Sequence, residues 1–453
     1  MKKKILYILV TLLTGMLVST QTKAQLGSDD AETGCGASEF SLGLLFSPPW
    51  AQNHEYLFDI LDKEGYYTTS DSLDYIVYRI PIKLFVYKRS KNPLVTDEVI
   101  KTYIQELNHY NLLNRTGIVY YLNDRPEIET NDRKARLGYY LEAPWISLWN
   151  YERGCVNVHI AEYINKGKGT VRGTYNYATK SAFVKANSSS TSLAHEIAHH
   201  FDLLHPHRHW KRGKMRQESV DRNRKIKFSL FRHGRNCDNN GDKLCDTQAE
   251  PNLTNFVNKQ CEYTGTNTDN WGDAYHPETN NIMSYPTYRD CRNEFTPSQI
   301  AVMLAAASKS RHASGWKVKN KGQNVNQQLN FDFNEPDNTL KMATEFKMGE
   351  RQWHSFHSIY KGKRKKSAVD VCDWVRVYIA DNKPVTLRLV SAQAAMPTVS
   401  LQAFNSSEKL VSTESADAYT ITIPSGFEGQ TVYIKITNKS KNPYSDYYLE
   451  WVK

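Results

Sequence analysis

Apolar and polar positions divide the chain into distinct regimes. A continuous apolar run from Ile5 to Val18 follows Lys2, Lys3 and Lys4. From Gln25 to about residue 75 no period holds, and Gly34-Cys35-Gly36 and Ser47-Pro48-Pro49 punctuate an irregular stretch. From Tyr75 the period is two. Ile76, Tyr78, Ile80, Ile82, Leu84 and Val86 predict a strand, with Pro81 pointing to an edge or a break. Thr96-Asp97-Glu98 then opens a helix whose apolar residues Val99, Ile100, Tyr103, Ile104 and Leu107 recur at three and four. Gly117 to Leu122 and Val156 to Ile164 read as further strands. Asn187-Ser188-Ser189-Ser190-Thr191 offers N-cap residues to a helix carrying His195 and His199. Thr296-Pro297-Ser298-Gln299 combines a capping box with proline at the first helical position, and Ile300 to Ala307 completes that helix. Beyond Leu329, short alternating runs between turn residues predict an antiparallel β-sandwich.

The expected fold class is therefore α/β (α+β): a mixed sheet packed on helices, one of them the histidine helix, followed by an all-β sandwich. The basic N-terminus, the apolar run and Thr22-Lys23-Ala24 before Gln25 form a secretory signal peptide over 1–24, too short to cross a bilayer comfortably. The expectation is an exported chain (extracellular or periplasmic) starting at Gln25, with no membrane insertion after signal removal.

Composition narrows the partners. The 453 residues carry 58 Lys and Arg against 48 Asp and Glu. Removing the signal's four lysines leaves 54 against 48, or +6. Part of the excess sits at Lys361 to Lys366, a solvated loop rather than a polyanion site. With no basic stripe or reading motif, a nucleic-acid partner is excluded. Seven cysteines suit an oxidising compartment, and the count is odd. Cys237, Cys245, Cys261 and Cys291 cluster, which allows two local bridges in any of three connectivities.

Of 14 histidines, four lie between His195 and His205. In His195-Glu196-Ile197-Ala198-His199, two imidazoles four residues apart share one helical face and reach one metal. Glu196 stands beside that metal, where a carboxylate can take a proton from a zinc-acidified water and pass it to the leaving amine. His205 supplies a third ligand if the helix stops near Phe201 and the chain turns back. His207 and His209 are the alternatives, and His200 faces away as a structural residue.

The full pattern His195-Glu196-x-x-His199-x-x-Asp202-x-x-His205, with Asn281-Ile282-Met283-Ser284-Tyr285 as a methionine turn, resembles the metzincin signature. Gly241-Asp242-Lys243-Leu244-Cys245-Asp246-Thr247 and Tyr288-Arg289-Asp290-Cys291-Arg292-Asn293-Glu294-Phe295-Thr296 resemble the pappalysins in particular. The resemblance implies a secreted zinc endopeptidase acting on protein or peptide substrates. It implies Met283 as an apolar base under the zinc and Tyr285 as hydrogen-bond donor to the tetrahedral oxyanion, the alternative being a packed aromatic. It also implies calcium near Asp242, Asp246 and Thr247, against a simple solvated loop. Gly34-Cys35-Gly36 resembles a pro-segment element whose thiolate occupies the zinc in a latent form, against a surface cysteine. Asp202 stands where the family has glycine.

Asn334-Glu335-Pro336-Asp337-Asn338-Thr339, Asp370-x-x-Asp373-Trp374 and the terminal Asp446 to Trp451 resemble a bacterial pre-peptidase C-terminal domain, with Trp374 read as core. The expected domains are 1–24 signal, 25–75 pro-segment, 76–312 peptidase, 313–328 linker and 329–453 sandwich. The competing function is a secreted binding or adhesion protein in which zinc is structural and no hydrolysis occurs.

Overall fold

The computed structural model describes residues 33–35, 54–69, 75–318, 334 and 337–452, with breaks at 124–125, 139–141, 167–168, 190, 209, 211–216, 230–231, 357–371, 392–397, 414–418 and 440–445. The signal peptide, most of the expected pro-segment, His209 and Lys361 to Lys366 fall outside the described residues.

The elements run β1 (Thr33–Cys35), α1 (His54–Glu64), β2 (Tyr78–Lys88), α2 (Asp97–Leu113), β3 (Ile118–Leu122), β4 (Glu127–Thr130), β5 (Arg136–Gly138) and α3 (Glu142–Trp149). Then follow β6 (Val156–Ala161), β7 (Tyr163–Lys166), β8 (Gly169–Asn176), β9 (Ser181–Lys185) and α4 (Thr191–His200). After α4 come a hairpin of β10 (Lys225–Ser229) and β11 (Arg232–Arg235), then α5 (Pro297–Lys309) and α6 (Ala313–Trp316). The main sheet is mixed, in the order β3-β2-β6-β9-β8-β7-β5, with β4 also on β2 and β1 also on β8. β3, β2, β6 and β9 are parallel neighbours, and β8 runs antiparallel to β9.

Residues 78–88 form a central strand, not an edge, because the proline falls where it removes little. β6 begins to pair only at Ile82, one residue past Pro81, while β3 pairs on the other side from Tyr78 to Ile82. The predicted strand over 156–164 divides into β6 and β7 at Glu162, a buried carboxylate that accepts the backbone N–H groups of Arg89 and Leu94 at 2.9 and 3.0 Å and pairs with the Arg89 guanidinium.

α2 starts as its sequence dictates: Thr96 Oγ1 accepts the Val99 N–H, and Ile100, Tyr103, Ile104 and Leu107 are buried. Asn108 ties this helix to β3 by exchanging two 2.9 Å hydrogen bonds with the Tyr120 backbone. α5 begins with the predicted capping box between Thr296 and Gln299. α4 packs on α2 and on β8 and β9, and every residue from Thr191 to His199 is buried.

Two elements outside the expected peptidase bounds pack on its core. The stretch read as irregular up to residue 75 contains α1, which packs on α5 and places Leu57 and Leu61 in the main core. Its apolar side, Leu57, Ile60 and Leu61, follows helical spacing, but the element is short and lies within a stretch otherwise without a period. At the other end, the expected linker contributes α6, whose Trp316 is buried in the same core and donates to the Gly154 carbonyl, and Val318 N–H bonds Val77.

The second core is a sandwich of two sheets. One comprises β12 (Thr344–Glu345), β14 (Cys372–Tyr378), β19 (Thr431–Asn438), β16 (Val399–Phe404) and β17 (Leu410–Thr413). The other comprises β13 (Gln352–Ser355), β20 (Asp446–Val452), β15 (Val385–Ser391) and β18 (Thr420–Ile423). Pairing is antiparallel except between β12 and β14. Alternate residues Val432, Ile434 and Ile436 face its interior, the period-2 pattern made physical. Trp374 is half-buried, against Phe404, with the Lys435 ammonium over its ring.

Candidate metal centre

α4 ends in a turn that the sequence makes difficult and the structure makes regular. Leu203 N–H reaches back to the Ala198 carbonyl at 3.2 Å, and Asp202 N–H to His199 at 3.1 Å. This 6→1 and 5→2 pair is a Schellman motif, and its C′ residue is Asp202 with φ +66°. Glycine takes that conformation without a Cβ penalty, and aspartate tolerates it at some strain. The reversal brings His205 back to the helix, so the departure at Asp202 does not displace the third histidine.

Three imidazoles meet there. His205 Nε2 lies 3.2 Å from His195 Nε2 and 3.0 Å from His199 Nε2, and all three residues are buried. The opposite ring nitrogens fix the tautomers. His195 Nδ1 donates to the Ile282 carbonyl at 2.7 Å, and His199 Nδ1 to the Leu203 carbonyl at 2.8 Å. Each Nδ1 therefore carries a proton and each Nε2 a lone pair. Burial pushes His199 down to about 4 and His195 and His205 well below the ordinary imidazole range, which keeps them neutral, the form that ligates. Zinc–nitrogen bonds of about 2.0–2.1 Å at tetrahedral angles put ligand nitrogens about 3.3 Å apart. The observed 3.0 and 3.2 Å separations fit a single small cation.

Glu196 is buried and lies against β8. A β-carbon on Gly173 would fall 2.5 Å from its Oε1, so only glycine lets the carboxylate sit there. Tyr285 Oη stands 3.0 Å from His205 Nε2. The methionine turn that carries it is buried, with Met283 in the main core. Asn281 shapes the turn by accepting the Met283 N–H at 2.9 Å, and its amide donates to Gln299 of the α5 capping box. His207 stacks on His205 and lies against Tyr285 but does not join the three converging imidazoles. Its Nδ1 bonds Glu250 at 3.2 Å, whose other oxygen accepts the Ser284 hydroxyl at 2.6 Å. His200 meets the Tyr175 hydroxyl instead.

Sequence reasoning missed Arg292 and Glu250. Arg292 is buried and binds Thr191 Oγ1 through Nε and Nη2 at 3.0 and 2.6 Å, and the Ser284 carbonyl at 3.4 Å. It thus pins the start of α4 to the methionine turn. Burial lowers it to about 9, which leaves it charged at neutral pH. Glu250 is pushed up to about 8 by burial. Neither belongs to a spaced motif; the one signal was Arg292 lying inside the segment after the turn that carries the resemblance.

At the expected calcium segment, Asp242 and Thr247 are buried and Asp246 half-buried. Burial pushes Asp242 up to about 7. Glu218, also buried, joins them: its carboxylate packs on Gly241 and pairs with Arg222. Asp246 Oδ2 accepts the Ser298 N–H at the start of α5, while Asp246 Oδ1, Glu218 Oε2 and Ser298 Oγ are buried without a hydrogen-bond partner. The cysteines nearby pair as Cys237–Cys245 and Cys261–Cys291, which settles their connectivity. The Cys35 side chain lies outside the described side chains. Its backbone is in β1, which pairs in parallel with β8 and sets residue 35 opposite Gly173.

No protein-family model matches the chain, and no curated protein does. Among solved structures, a Tannerella forsythia promirolysin mutant is similar over 62% of this chain and 95% of its own, at 16% identity and a TM-score of 0.37. The pre-peptidase C-terminal domain of collagenase from Bacillus anthracis matches 24% of this chain and 94% of its own, at 12% identity and a TM-score of 0.19. Likenesses this distant carry nothing about activity, which rests on the side chains alone.

The turn at Asp202 is open to test. Asp202→Gly is expected to keep bound metal and raise stability by about 1 kcal/mol by removing left-handed strain. Asp202→Val, β-branched, is expected to lower metal affinity. Thermal unfolding and metal content report both, and equal behaviour of the two variants would show that the turn does not govern His205.

Proposed function

We propose that the protein is a secreted zinc endopeptidase of the pappalysin type, made as a latent precursor. The observation that carries the reading is the convergence of three imidazole Nε2 atoms, two of them from the helix that also carries the buried Glu196. His195, His199 and His205 would hold zinc, which supplies Lewis acidity that lowers the pKa of a water from about 15.7 toward about 7. Glu196 takes the proton as that water attacks the peptide carbonyl, and returns it to the amine nitrogen as the C–N bond breaks. Tyr285 directs its O–H to the carbonyl oxygen as negative charge builds. Arg292 holds α4 and the methionine turn in one frame, so the base and the phenol keep their separation. A purely structural zinc would want a fourth permanent ligand; among the described residues the metal-capable group at this point is the three histidines.

Glu196→Gln is expected to retain about one zinc per chain while losing about a hundredfold to ten-thousandfold in peptide hydrolysis, the worth of general acid–base help. Unchanged hydrolysis would refute Glu196 as the base, and zinc-loaded wild type that cleaves no peptide after activation would leave the binding-protein reading.

Latency rests on β1. An extended segment already pairs with the β8 edge at Gly173, beside Glu196, and so occupies the edge a peptide would use. From this segment the Cys35 thiolate is a suitable fourth donor for zinc. Because α1 is part of the core, the activating cut belongs before His54 rather than near residue 75. The secreted Cys35→Ala chain is expected to hydrolyse a casein substrate without prior proteolysis, and N-terminal sequencing of the activated wild type to begin ahead of His54. A Cys35→Ala precursor as silent as wild type would remove the thiol from the account.

Calcium is the proposed companion at Asp242, Asp246 and Thr247, with Glu218 beside them. The support is a set of buried oxygens, the donors a hard cation takes. Chelation with EGTA is expected to lower the unfolding temperature by several degrees, and calcium but not magnesium to restore it. No shift on calcium addition would return the segment to an ordinary loop anchored on α5.

A further inference from the structure

Glu250 lies outside every motif, yet it joins two of the loops that build the metal centre. It is buried, and its two oxygens reach different segments. Oε2 accepts the Ser284 hydroxyl at 2.6 Å, one residue before Tyr285. Oε1 stands 3.2 Å from Nδ1 of His207, two residues beyond His205. The residues just after Glu250 hold the methionine turn twice more. Thr254 Oγ1 donates to the Tyr285 carbonyl at 3.4 Å, and the Asn255 N–H donates to Thr287 Oγ1 at 2.7 Å. His207 carries the restraint to the rings. It stacks on His205 with centroids 5.1 Å apart and planes at 14°, and its centroid is 4.4 Å from that of Tyr285, which is itself 4.7 Å from His205.

Both bonds of Glu250 survive either form of its carboxyl group. Ionised, it accepts from Nδ1–H; protonated, it donates to Nδ1; the other oxygen accepts from Ser284 in both. A hydrogen-bond donor to a developing oxyanion is effective only when it is already aimed at the place where charge builds, and a small misplacement is felt in the rate more than in binding. Tyr285 sits on a turn, so its aim has to come from the groups that hold that turn and pack on its ring. We propose that Glu250 is a positioning residue for the Tyr285 phenol, acting on its backbone through Ser284 and on its ring through His207. This rests on the peptidase reading and adds a residue to the machinery of the same site.

The test is a double-mutant cycle on the secreted full chain after proteolytic activation, with kcat and KM measured on a quenched fluorescent peptide taken from a casein sequence that wild type cuts. Ser284→Ala, which removes one hydroxyl, is expected to lower kcat about twofold to tenfold, the worth of one hydrogen bond, with KM and zinc content kept. In a Tyr285→Phe background the same change is expected to alter kcat by less than about twofold, because the group it positions is gone. A loss of folded or zinc-loaded protein would carry through undiminished into that background, so the cycle separates positioning from stability. Glu250→Ala is expected to lose more than Ser284→Ala, and Glu250→Gln, which can accept from Ser284 and donate to Nδ1, to restore most of that loss. Wild-type kcat in Ser284→Ala, independent multiplication of the Ser284 and Tyr285 effects, or Glu250→Gln as impaired as Glu250→Ala overturns this inference and leaves the peptidase intact. Wild-type kcat in Tyr285→Phe overturns it by removing the phenol from the reaction. Activated wild type that cleaves no peptide overturns both this inference and the peptidase reading.

Discussion

Everything at the centre depends on two backbone carbonyls. Ile282 and Leu203 each take the Nδ1 proton of one helix histidine and so aim the other nitrogen's lone pair at a common point. Lone pairs about 3 Å apart repel unless a cation lies among them, so the arrangement suits a ligand set. The two carbonyls come from different places. Leu203 belongs to the turn that ends α4, and Ile282 immediately precedes Met283, about eighty residues later in the chain. The helix end and the methionine turn are thereby parts of one device, and the turn's burial under the helix follows from that hydrogen bond as much as from Met283's apolar contacts.

Spacing explains which parts were legible. His195, Glu196 and His199 are related by helix periodicity, a local geometry that sequence encodes directly. The caps at Thr96 and Thr296 are equally local and recur in the structure. His205 needed one further step, a chain reversal, and its left-handed residue could be located because aspartate stands where glycine is usual. Arg292, Glu250 and Glu218 were not legible, because each takes its role from residues remote in sequence. Arg292 bonds Thr191, and Glu250 bonds both His207 and Ser284. A lone arginine or glutamate carries no periodicity from which such a meeting could be inferred.

The strand without a sequence signal and the proline-bearing strand have physical reasons too. β8 contains two glycines and ordinary polar residues, so its propensity as a strand is weak. Gly173 is there because the Glu196 carboxylate occupies the place of its side chain. Strand propensity was given up for a close approach between the Glu196 carboxylate and the sheet. Pro81 shows the reverse case, a residue that argues against a central strand yet is tolerated where pairing on one side has not begun.

Among its described residues the stretch from 201 to 296 has little regular structure beyond one hairpin and a 3₁₀ turn, yet it carries His205, Tyr285 and Arg289. Its backbone polar groups cannot be satisfied by ladders, so side chains do the work. Asn236 accepts the Ser219 N–H, and Asp269 accepts those of Val220, Trp271 and Asp273. Two disulfides close short loops within it. Such a framework is rigid only while its buried polar atoms stay paired, because each unmade bond in a low-dielectric interior costs about 1–3 kcal/mol. The same framework brings Tyr285 and Arg289 together on short turns rather than on a strand or a long helix, so their placement depends on those paired groups.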